Sequence, residues 1–468
     1  MKTRRGALSA LCIAGLLIAA CGDDDADTST PAATDAGGTA AAGDTTPAAG
    51  GETLANGLIK CEQQYAGKEV HIFSPVRDSE TDKASTRLRD AYAPLEACTG
   101  VKVVHDGTDQ FETEVIVRVD GGNPPDVIDF PQPGGFLDLI KKGQVFPFPD
   151  ALGAAVTADN VSGWPELATV DGKVYGVPSR ANVKSLVWYS PKAFADGGYA
   201  IPTSLEELTA LSDKIVADGG TPWCAGIESG VATGWPITDW FEDFMLRING
   251  PEVYDQWVNH EIPFNDPKVK AVADAVSSIL KNADYMGGDN AIKAVATTKF
   301  QDGGFPILDG NCYMHRQASF YAGIWPEGTT IGPEGQVDTF YLPVKAGDPK
   351  YMLGGGDLIA AGTDKPETYD VLAYTNSLEY QTEIVATGDT SLSTRKDFDT
   401  STFSDPVLKG FADLLVSSEV FRFDGADMMP AAIGSGAFWK EATAWIAGGS
   451  TDDMLNNIEA AWKALPSS

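Results

Sequence analysis

The chain has 468 residues, a formal net charge of −32, and 43% hydrophobic and 9% aromatic residues. This length and composition are typical of a globular protein with two folded lobes and are unlike those of a disordered chain. The large acidic excess repels nucleic acid and anionic lipid headgroups, so neither is an expected partner.

Residues 1–20 have the pattern of an export signal. The basic start MKTRR precedes the apolar run GALSALCIAGLLIAA, which is too short to span a membrane stably. The small residues Ala19 and Ala20 then precede Cys21. The sequence IAAC is similar to the lipobox of bacterial lipoproteins, which implies a lipid anchor on Cys21 and a body on the extracellular or periplasmic side of the cell membrane. The alternative is an ordinary secretory signal with an incidental cysteine.

Residues 21–57 are expected to form a disordered acidic linker. The stretch after Cys21 contains no basic residue, no aromatic residue and few large apolar residues. Such a composition buries too little apolar surface to offset the loss of chain entropy on folding. No later segment contains 18 uninterrupted apolar residues, so the sequence predicts an anchored body that does not span the membrane.

Beyond the linker, predicted strands alternate with predicted helices. The segments EVHIFSP, VKVVHDG and PPDVIDF are short and apolar, as strands are, whereas TDKASTRLRDAYAPLEACTG is predicted to form one helix that ends at Gly100. This alternation indicates an α/β fold with a mostly parallel sheet that is flanked by helices. A second helix is predicted from an apolar face that comprises Phe111, Val115, Ile116 and Val119.

Ligands of such sheets bind beyond the carboxyl ends of the strands. Residues that directly follow the predicted strands are therefore candidate ligand-binding residues. They are Arg77, Asp78, Asp109, Gln110, Phe130 and Gln132.

Four cysteines remain once Cys12 is removed with the signal and Cys21 is lipidated. An even number outside the cytoplasm predicts two disulfides, and four cysteines permit three pairings. The chain has no CxxC spacing and its four histidines are scattered, so we expect no metal site and no cofactor. The four cysteines are Cys61, Cys98, Cys224 and Cys312.

From about Gly67 onward, the order of motifs resembles the extracellular solute-binding proteins of carbohydrate ABC importers. LEACTGVKVVHDG and NPPDVIDF resemble the first lobe of these proteins, and VDGKVYGVPSRANVKSLVWYSPKAF and PTSLEELTALSDKI continue the similarity. The resemblance implies a two-lobed periplasmic-binding-protein fold of type II, with the ligand in the cleft between the lobes. Lobe 1 is expected at residues 58–181 and 346–400, and lobe 2 at residues 182–345 and 401–468.

Two segments look like the alpha-glucoside-binding branch of that family. They are PWCAGIESGVATGWPITDWFEDFMLRINGPEVYDQWVNHEIPFNDP and CYMHRQASF. This branch implies a disulfide between Cys224 and Cys312 within the second lobe, which leaves Cys61 to pair with Cys98. It also implies that the ligand is an α-linked glucoside or a short oligosaccharide.

Three tryptophans are candidate sugar contacts. MMPAAIGSGAFW resembles the segment that ends in a sugar-stacking Trp in maltose-binding proteins, which makes Trp439 the matching position. Trp235 precedes a predicted helix, and the periodicity of the apolar residues does not require Trp235 to lie in the core. Trp240 lies within that helix, so a core role competes with ligand contact.

The helix after Trp235 is predicted from its start signal, its apolar stripe and its stop signal. Pro236 suits the first turn, and Gly250 with Pro251 ends the pattern. The stripe comprises Ile237, Trp240, Phe241, Phe244 and Ile248.

A sugar needs both apolar and polar contacts. A pyranose ring packs its C–H face on an aromatic side chain, and its hydroxyl groups need fixed donors and acceptors. The stretch LGGGDLIAAG lacks the spacing of a phosphate loop, and its Gly355 and Gly356 permit close backbone approach to a ligand or form a plain turn. The further polar candidates are Asn182, Lys184, Asp239, Arg316, Asp357 and Arg395.

The predicted function is that of a monomeric substrate-binding lipoprotein that closes on a saccharide by hinge motion and delivers it to ABC permease subunits. A secreted glycoside hydrolase and a surface sugar-binding adhesin without a permease are the alternatives. A hydrolase needs two carboxyl groups that face each other roughly 5 to 10 Å apart, whereas Asp239 and Asp243 have the i, i+4 spacing of neighbours on one helix. The chain has no GxSxG or HExxH motif.

Overall fold

The structure is a computed structural model that describes residues 51–79 and 83–466. Cys21, the signal and most of the linker lie outside the described residues. Within these two ranges, no helix combines the length and apolar character that crossing a bilayer requires.

The strands of the described ranges are β1 (Thr53–Leu54), β2 (Ile59–Lys60), β3 (Glu69–Ser74), β4 (Lys102–Gly107), β5 (Val127–Phe130), β6 (Thr169–Val170), β7 (Lys173–Val174), β8 (Gly176–Val183), β9 (Leu186–Tyr189), β10 (Met314–Arg316), β11 (Asp338–Tyr341), β12 (Tyr351–Ala361) and β13 (Val420–Phe423).

The helices are α1 (Ala84–Asp90), α2 (Ala93–Thr99), α3 (Phe111–Asp120), α4 (Pro133–Lys141), α5 (Asp150–Asp159), α6 (Pro191–Gly197), α7 (Leu205–Ala217), α8 (Trp235–Val258), α9 (Pro267–Leu280), α10 (Ala283–Met286), α11 (Asp289–Ala294), α12 (Pro366–Thr375), α13 (Leu378–Ala386), α14 (Pro406–Ser417), α15 (Gly425–Met428), α16 (Trp439–Ile446) and α17 (Thr451–Lys463). Short 3-10 turns occur at Ala55–Gly57, Pro165–Ala168, Gly230–Ala232, Phe305–Ile307, Ser319–Gly323 and Thr400–Thr402, and a π-helical segment spans Ala432–Phe438.

The larger sheet is mixed, with the strand order β13-β12-β5-β3-β4 and with β8 paired to β12. β3 pairs in parallel with both β4 and β5, which confirms the parallel arrangement predicted from the alternating strands and helices. The long strand β12 pairs antiparallel with β5 and β8 and parallel with β13. Helix α3 contributes Phe111, Val115 and Val119 to an apolar cluster with residues of this sheet, as its predicted apolar face requires.

The single helix predicted to end at Gly100 is in fact two helices, α1 and α2. Pro94 lies in the first turn of α2. In one continuous helix, Pro94 would lack the N–H that bonds to the carbonyl of Asp90, and its ring would clash with that carbonyl. The predicted end is confirmed, since Gly100 adopts φ 76° at the C-cap of α2.

The smaller sheet places β9 between β10 and β11, with both pairs antiparallel. Helix α8 packs against this smaller sheet and the neighbouring helices. It begins at Trp235, with Pro236 in its first turn. The helical conformation breaks at Gly250, where φ is 80° and ψ is 173°, and resumes at Pro251. The predicted stop is therefore confirmed, but a second helical stretch continues to Val258.

Two disulfides cross-link the chain in the pairing that the family resemblance implies. Cys61 bonds to Cys98 and Cys224 bonds to Cys312, with Cα–Cα distances of 4.4 and 5.8 Å. The first attaches the N-terminal hairpin of β1 and β2 to α2, and the second attaches the segment before α8 to the segment before β10.

Folded structure begins earlier than the predicted linker boundary at residue 57. β1 pairs with β2, and the intervening turn buries Ala55 in an apolar cluster of the larger sheet. The composition of residues 51–57 did not predict this pairing of β1 with β2, because the pairing depends on Ile59 and on the disulfide at Cys61, which follow the polar stretch.

Candidate functional site

Lys184 lies where the chain passes from one sheet to the other. β8 ends at Val183 in the larger sheet and β9 begins at Leu186 in the smaller sheet, so Lys184 and Ser185 form the connection. The Lys184 N–H donates to the Leu353 carbonyl of β12 at 2.8 Å. Side chains at this connection can contact elements of both sheets.

The Lys184 side chain belongs to a buried group of charged residues, here called the Lys184 cluster. Its Nζ atom lies 3.0 Å from Asp239 Oδ1 and 2.5 Å from Asp424 Oδ2. Burial by itself lowers the pKa of Lys184, but the Asp239 and Asp424 carboxylates raise it well above its ordinary value, so the amine is charged. The cluster comprises Lys184, Asp239, Glu242, Asp243, Arg247, Arg316, Asp424 and Asp427.

Arg316 joins two acids of α8 within this cluster. Its Nη1 atom lies 3.0 Å from Asp239 Oδ2, and its Nε donates to Asp243 Oδ2 at 2.9 Å. Arg247 Nη1 donates to the other oxygen of Asp243 at 2.6 Å. Although burial opposes it, these guanidinium groups hold the pKa of Asp243 below its ordinary value. The Asp239 and Asp243 carboxylates therefore lie side by side, as their i, i+4 spacing predicts.

The Lys184 cluster contains five carboxyl groups but three cations. Burial and the Asp424 carboxylate raise the pKa of Glu242 and of Asp427 well above their ordinary values. A raised pKa favours the neutral form of these two acids, and that form reduces the acidic excess of the cluster. Glu242 Oε1 accepts from the Ala426 N–H at 3.0 Å, while its Oε2 is enclosed without a partner among the described residues.

Arg180 forms a second buried ion group on the larger sheet. Its Nη2 atom lies 3.0 Å from Asp129 Oδ2 and also contacts Asp357. Burial raises the pKa of Asp357 to about 7, against the opposing effect of the Arg180 charge. Arg180 and Asp357 face each other on β8 and β12, four residues before the Lys184 connection.

Gly355 and Gly356 of β12 permit the close approach of β8. A Cβ on Gly356 would lie 2.1 Å from the Arg180 carbonyl oxygen, and one on Gly355 would lie 2.8 Å from Lys184 Cε. Asn182 is paired opposite Gly355, and its Oδ1 is enclosed without a hydrogen-bond partner in the described ranges. The glycines thus make room for the strands and for the Lys184 side chain.

The three candidate tryptophans occupy different environments. Trp235 is partly exposed, and its ring centroid lies 5.4 Å from Lys184 Nζ and within 6 Å of two phenylalanine rings. Trp240 is buried in the core against Trp223, in agreement with its place on the apolar stripe. Trp439 is 2% exposed in the same core. Trp235 is therefore the one of these three tryptophans that is not fully buried.

Four candidates lie together at the ends of the parallel strands. Arg77 Nη2 lies 3.0 Å from Asp109 Oδ2, and Gln110 Nε2 donates to Asp109 Oδ1 at 3.3 Å. Gln132 Nε2 donates to a glutamate of α3 at 3.2 Å. Gly230 packs closely against Asp109, and a Cβ added to Gly230 would lie 2.8 Å from the Asp109 carbonyl oxygen. The segment that leads to Trp235 therefore touches these strand ends.

Three other candidates are used within the fold. Asp78 accepts from the Thr86 N–H and hydroxyl at 2.9 and 2.6 Å, which organises the start of α1. Phe130 is buried between the rings of two other phenylalanines in the core of the larger sheet. Arg395 pairs with Asp159 and with a neighbouring aspartate, away from the Lys184 cluster. None of these three contacts the Lys184 cluster.

Asp239, Glu242 and Asp424 offer carboxylate oxygens within 4.8 Å of one another, which is the spacing that a metal ion would need. However, the Lys184 ammonium already lies on Asp239 and Asp424 and supplies the positive charge. The geometry therefore describes an ion-pair network in which the Lys184 ammonium supplies the positive charge that a metal ion would otherwise supply.

Several residues of the two ion groups are absent from the sequence-based candidates. They are Asp129, Arg180, Glu242, Asp243, Arg247, Asp424 and Asp427. One signal was available: α8 is buried on all sides from Pro236 to Arg247, and a fully buried helix segment that contains three acids needs internal cations. Asp424 and Asp427 gave a weaker signal, since they come just before the MMPAAIGSGAFW motif.

Comparison with known proteins shows one consistent family. Residues 78–375 match the family described as bacterial extracellular solute-binding protein. The chain is 40% identical over 405 residues to the osmoprotective compounds-binding protein GgtB of Synechocystis sp., an alignment that covers 84% of this chain and 92% of that protein. It is 35% identical over 413 residues to the alpha-glucosides-binding periplasmic protein AglE of Rhizobium meliloti, covering 85% and 88%.

Among solved structures, a chitin oligosaccharide binding protein superposes with a TM-score of 0.71 at 20% identity, covering 85% of this chain and 98% of that one. At this identity the likeness shows the fold alone. It confirms the expected two-lobed α/β architecture of type II periplasmic sugar-binding proteins.

Proposed function

Because the chain belongs to the bacterial extracellular solute-binding protein family, we propose that it captures an α-glucoside or a short oligosaccharide and delivers it to an ABC permease. Two relatives that align over most of their length support this proposal, one named for alpha-glucosides and one for osmoprotective compounds. Both are binding proteins, which favours binding over hydrolysis. Arg316 contacts both Asp239 and Asp243 and keeps their carboxylates side by side. This arrangement disfavours a pair of carboxyl groups that face each other across a glycosidic bond.

The observation that carries the proposal is the position of Trp235. Its partly exposed ring lies beside the Lys184 cluster, at the connection between the two sheets. An aromatic ring next to buried charged groups supplies the apolar face and the fixed polar partners that a sugar requires. We place the sugar between this ring and the strand ends at Arg77 and Asp109.

Closure of the two lobes over the sugar completes the proposed mechanism. The chain is proposed to cross between lobes near residues 181, 346 and 400, and the first of these crossings lies three residues before Lys184. Ligand contacts from both lobes favour the closed state when sugar is bound, which lets a permease distinguish loaded from empty protein. The stacking role of Trp439 stays a prediction, and its buried ring would need the core around it to open.

Attachment to the membrane by a lipid on Cys21 remains part of the proposal. The anchor would keep the loaded protein near the permease, and a flexible linker would let the body reach it.

Isothermal titration calorimetry of the purified body tests the proposed ligand class. The panel contains maltose, trehalose, sucrose, longer glucans and, as an osmoprotectant that is not a sugar, glycine betaine. We expect saturable binding of at least one α-glucoside and no release of glucose on long incubation. Binding of betaine alone, or the appearance of hydrolysis products, would contradict the proposal.

A further inference from the structure

The Asp427 side chain is mostly buried, and its carboxyl group has no partner among the described residues. Only 8% of the residue is exposed, and among the described residues no hydrogen bond or ion pair ends on its carboxyl group. Asp427 is the third residue of the one-turn helix α15, whose N-cap is Asp424. An acid at this position can reach back to the N-cap N–H. Here the Asp424 N–H donates instead to the Gly354 carbonyl at 2.8 Å.

Asp427 also lies where separate parts of the candidate site meet. A Cβ on Gly134, in the first turn of α4, would be 3.1 Å from the Asp427 carbonyl oxygen. α4 directly follows Gln132, one of the strand-end candidates. Burial and the nearby Asp424 carboxylate raise the pKa of Asp427, and the charges of Lys184 and Asp357 also act on it. The charges of both buried ion groups therefore act on its carboxyl group.

The charge balance of the Lys184 cluster restricts what could pair with Asp427. The three cations of the cluster are already paired with Asp239, Asp243 and Asp424, so none of them is free to balance an anionic ligand group in this buried site. A hydroxyl group can satisfy Asp427 without adding negative charge. A neutral polyhydroxylated ligand fits this balance, and a ligand with a phosphate or carboxylate at this point does not.

We propose that Asp427 forms a hydrogen bond with a hydroxyl group of the bound ligand and that this contact selects neutral sugars over anionic ones. This inference rests on the binding function proposed above and adds a specific contact residue and a ligand class to it.

Three variants test the contact: Asp427→Ala, Asp427→Asn and the control Asp453→Ala. Asp453 has the same position relative to its N-cap, Ser450, in α17, but it is exposed. Titration with maltose and trehalose should show a loss of about 2- to 13-fold in affinity for Asp427→Ala, the scale of a hydrogen bond between neutral groups. Asp453→Ala should bind as the wild type does.

A thermal melt separates ligand contact from a structural role. Asp427→Ala removes no internal hydrogen-bond partner, so its melting temperature should stay close to that of the wild type. A lower melting temperature in both Asp427 variants would show that the carboxyl group supports the fold and would overturn the inference. If the wild type binds a sugar and Asp427→Ala binds it equally well, the contact is refuted while the proposed function stands. If the wild type binds no sugar, the proposed function itself fails.

The ligand class is tested with trehalose and trehalose 6-phosphate. The wild type should prefer trehalose, and Asp427→Asn should reduce that preference most at high pH, because the amide cannot ionise as the carboxyl group does there. Steric exclusion of the phosphate would leave the preference unchanged in Asp427→Asn, and this result would overturn the charge-based selection.

Discussion

Replacement of Lys184 by methionine tests whether the Lys184 cluster is held together by its buried ion pairs. Methionine fills a similar volume but leaves Asp239 and Asp424 without the ammonium at 3.0 and 2.5 Å. Removing one partner from a buried pair costs about 3 to 5 kcal/mol, because a buried charge is left uncompensated. With about 2.1 cal/mol/K of unfolding entropy per residue over roughly 400 residues, this loss lowers the melting temperature by about 4 to 6 °C.

The matched control is Lys192→Met. Lys192 pairs with Asp196 on the surface of α6, where both side chains are mostly exposed. An exposed i, i+4 pair contributes about 0.3 to 0.5 kcal/mol, so this variant should melt close to the wild type. Urea unfolding followed by tryptophan fluorescence, together with thermal melts, measures both variants. Equal, small losses of stability in the two would refute the argument that burial makes the Lys184 pairs indispensable.

Three further predictions concern the aromatic contact, the pH dependence and the anchor. Trp235→Ala should weaken sugar binding by about 5- to 150-fold with little effect on the melting temperature. Trp240→Ala should lower the melting temperature and leave the affinity nearly unchanged. Fluorescence titrations and thermal melts measure both variants, and reversed effects would contradict the prediction. The Asp357 pKa of about 7 lies above its unfolded value of about 4, so its stabilising effect is present at low pH and is lost as pH rises from about 4 to about 7. Asp357→Asn should flatten the fall in melting temperature over this range, measured by thermal melts. Cys21→Ala should move the protein from the membrane to the soluble fraction, and fractionation that still required detergent would argue against the lipid anchor.

Much of the fold was predictable because its signals are local. Short apolar segments separated by helical patterns predicted β3, β4 and β5 and their parallel pairing. Proline and glycine signals predicted the start of α8 at Trp235 and its break at Gly250. The split between α1 and α2 was missed, although Pro94 lies within the segment. A proline is compatible with the first turn of a helix and disrupts a helix interior, and the local sequence did not show that α1 ends before Pro94.

The site was predictable only in part. Lys184, Asp239 and Arg316 were named from their residue types, and the structure brings all three into one buried network. Asp424 and Asp427 were missed because they approach Lys184 from more than 200 positions away in the chain.

The sequence by itself determined the elements, the acidic character, the break in α8 and, through family resemblance, the two disulfide pairs. These features depend on residues close in the chain or on a shared order of motifs. Only the tertiary structure decided which acids surround Lys184, which tryptophan ring stays exposed and which carboxyl group is left unpaired. The physical reason is that burial and charge pairing depend on distances between segments, and a buried acid at Asp427 differs from an exposed one at Asp453 only in what other parts of the chain pack around it.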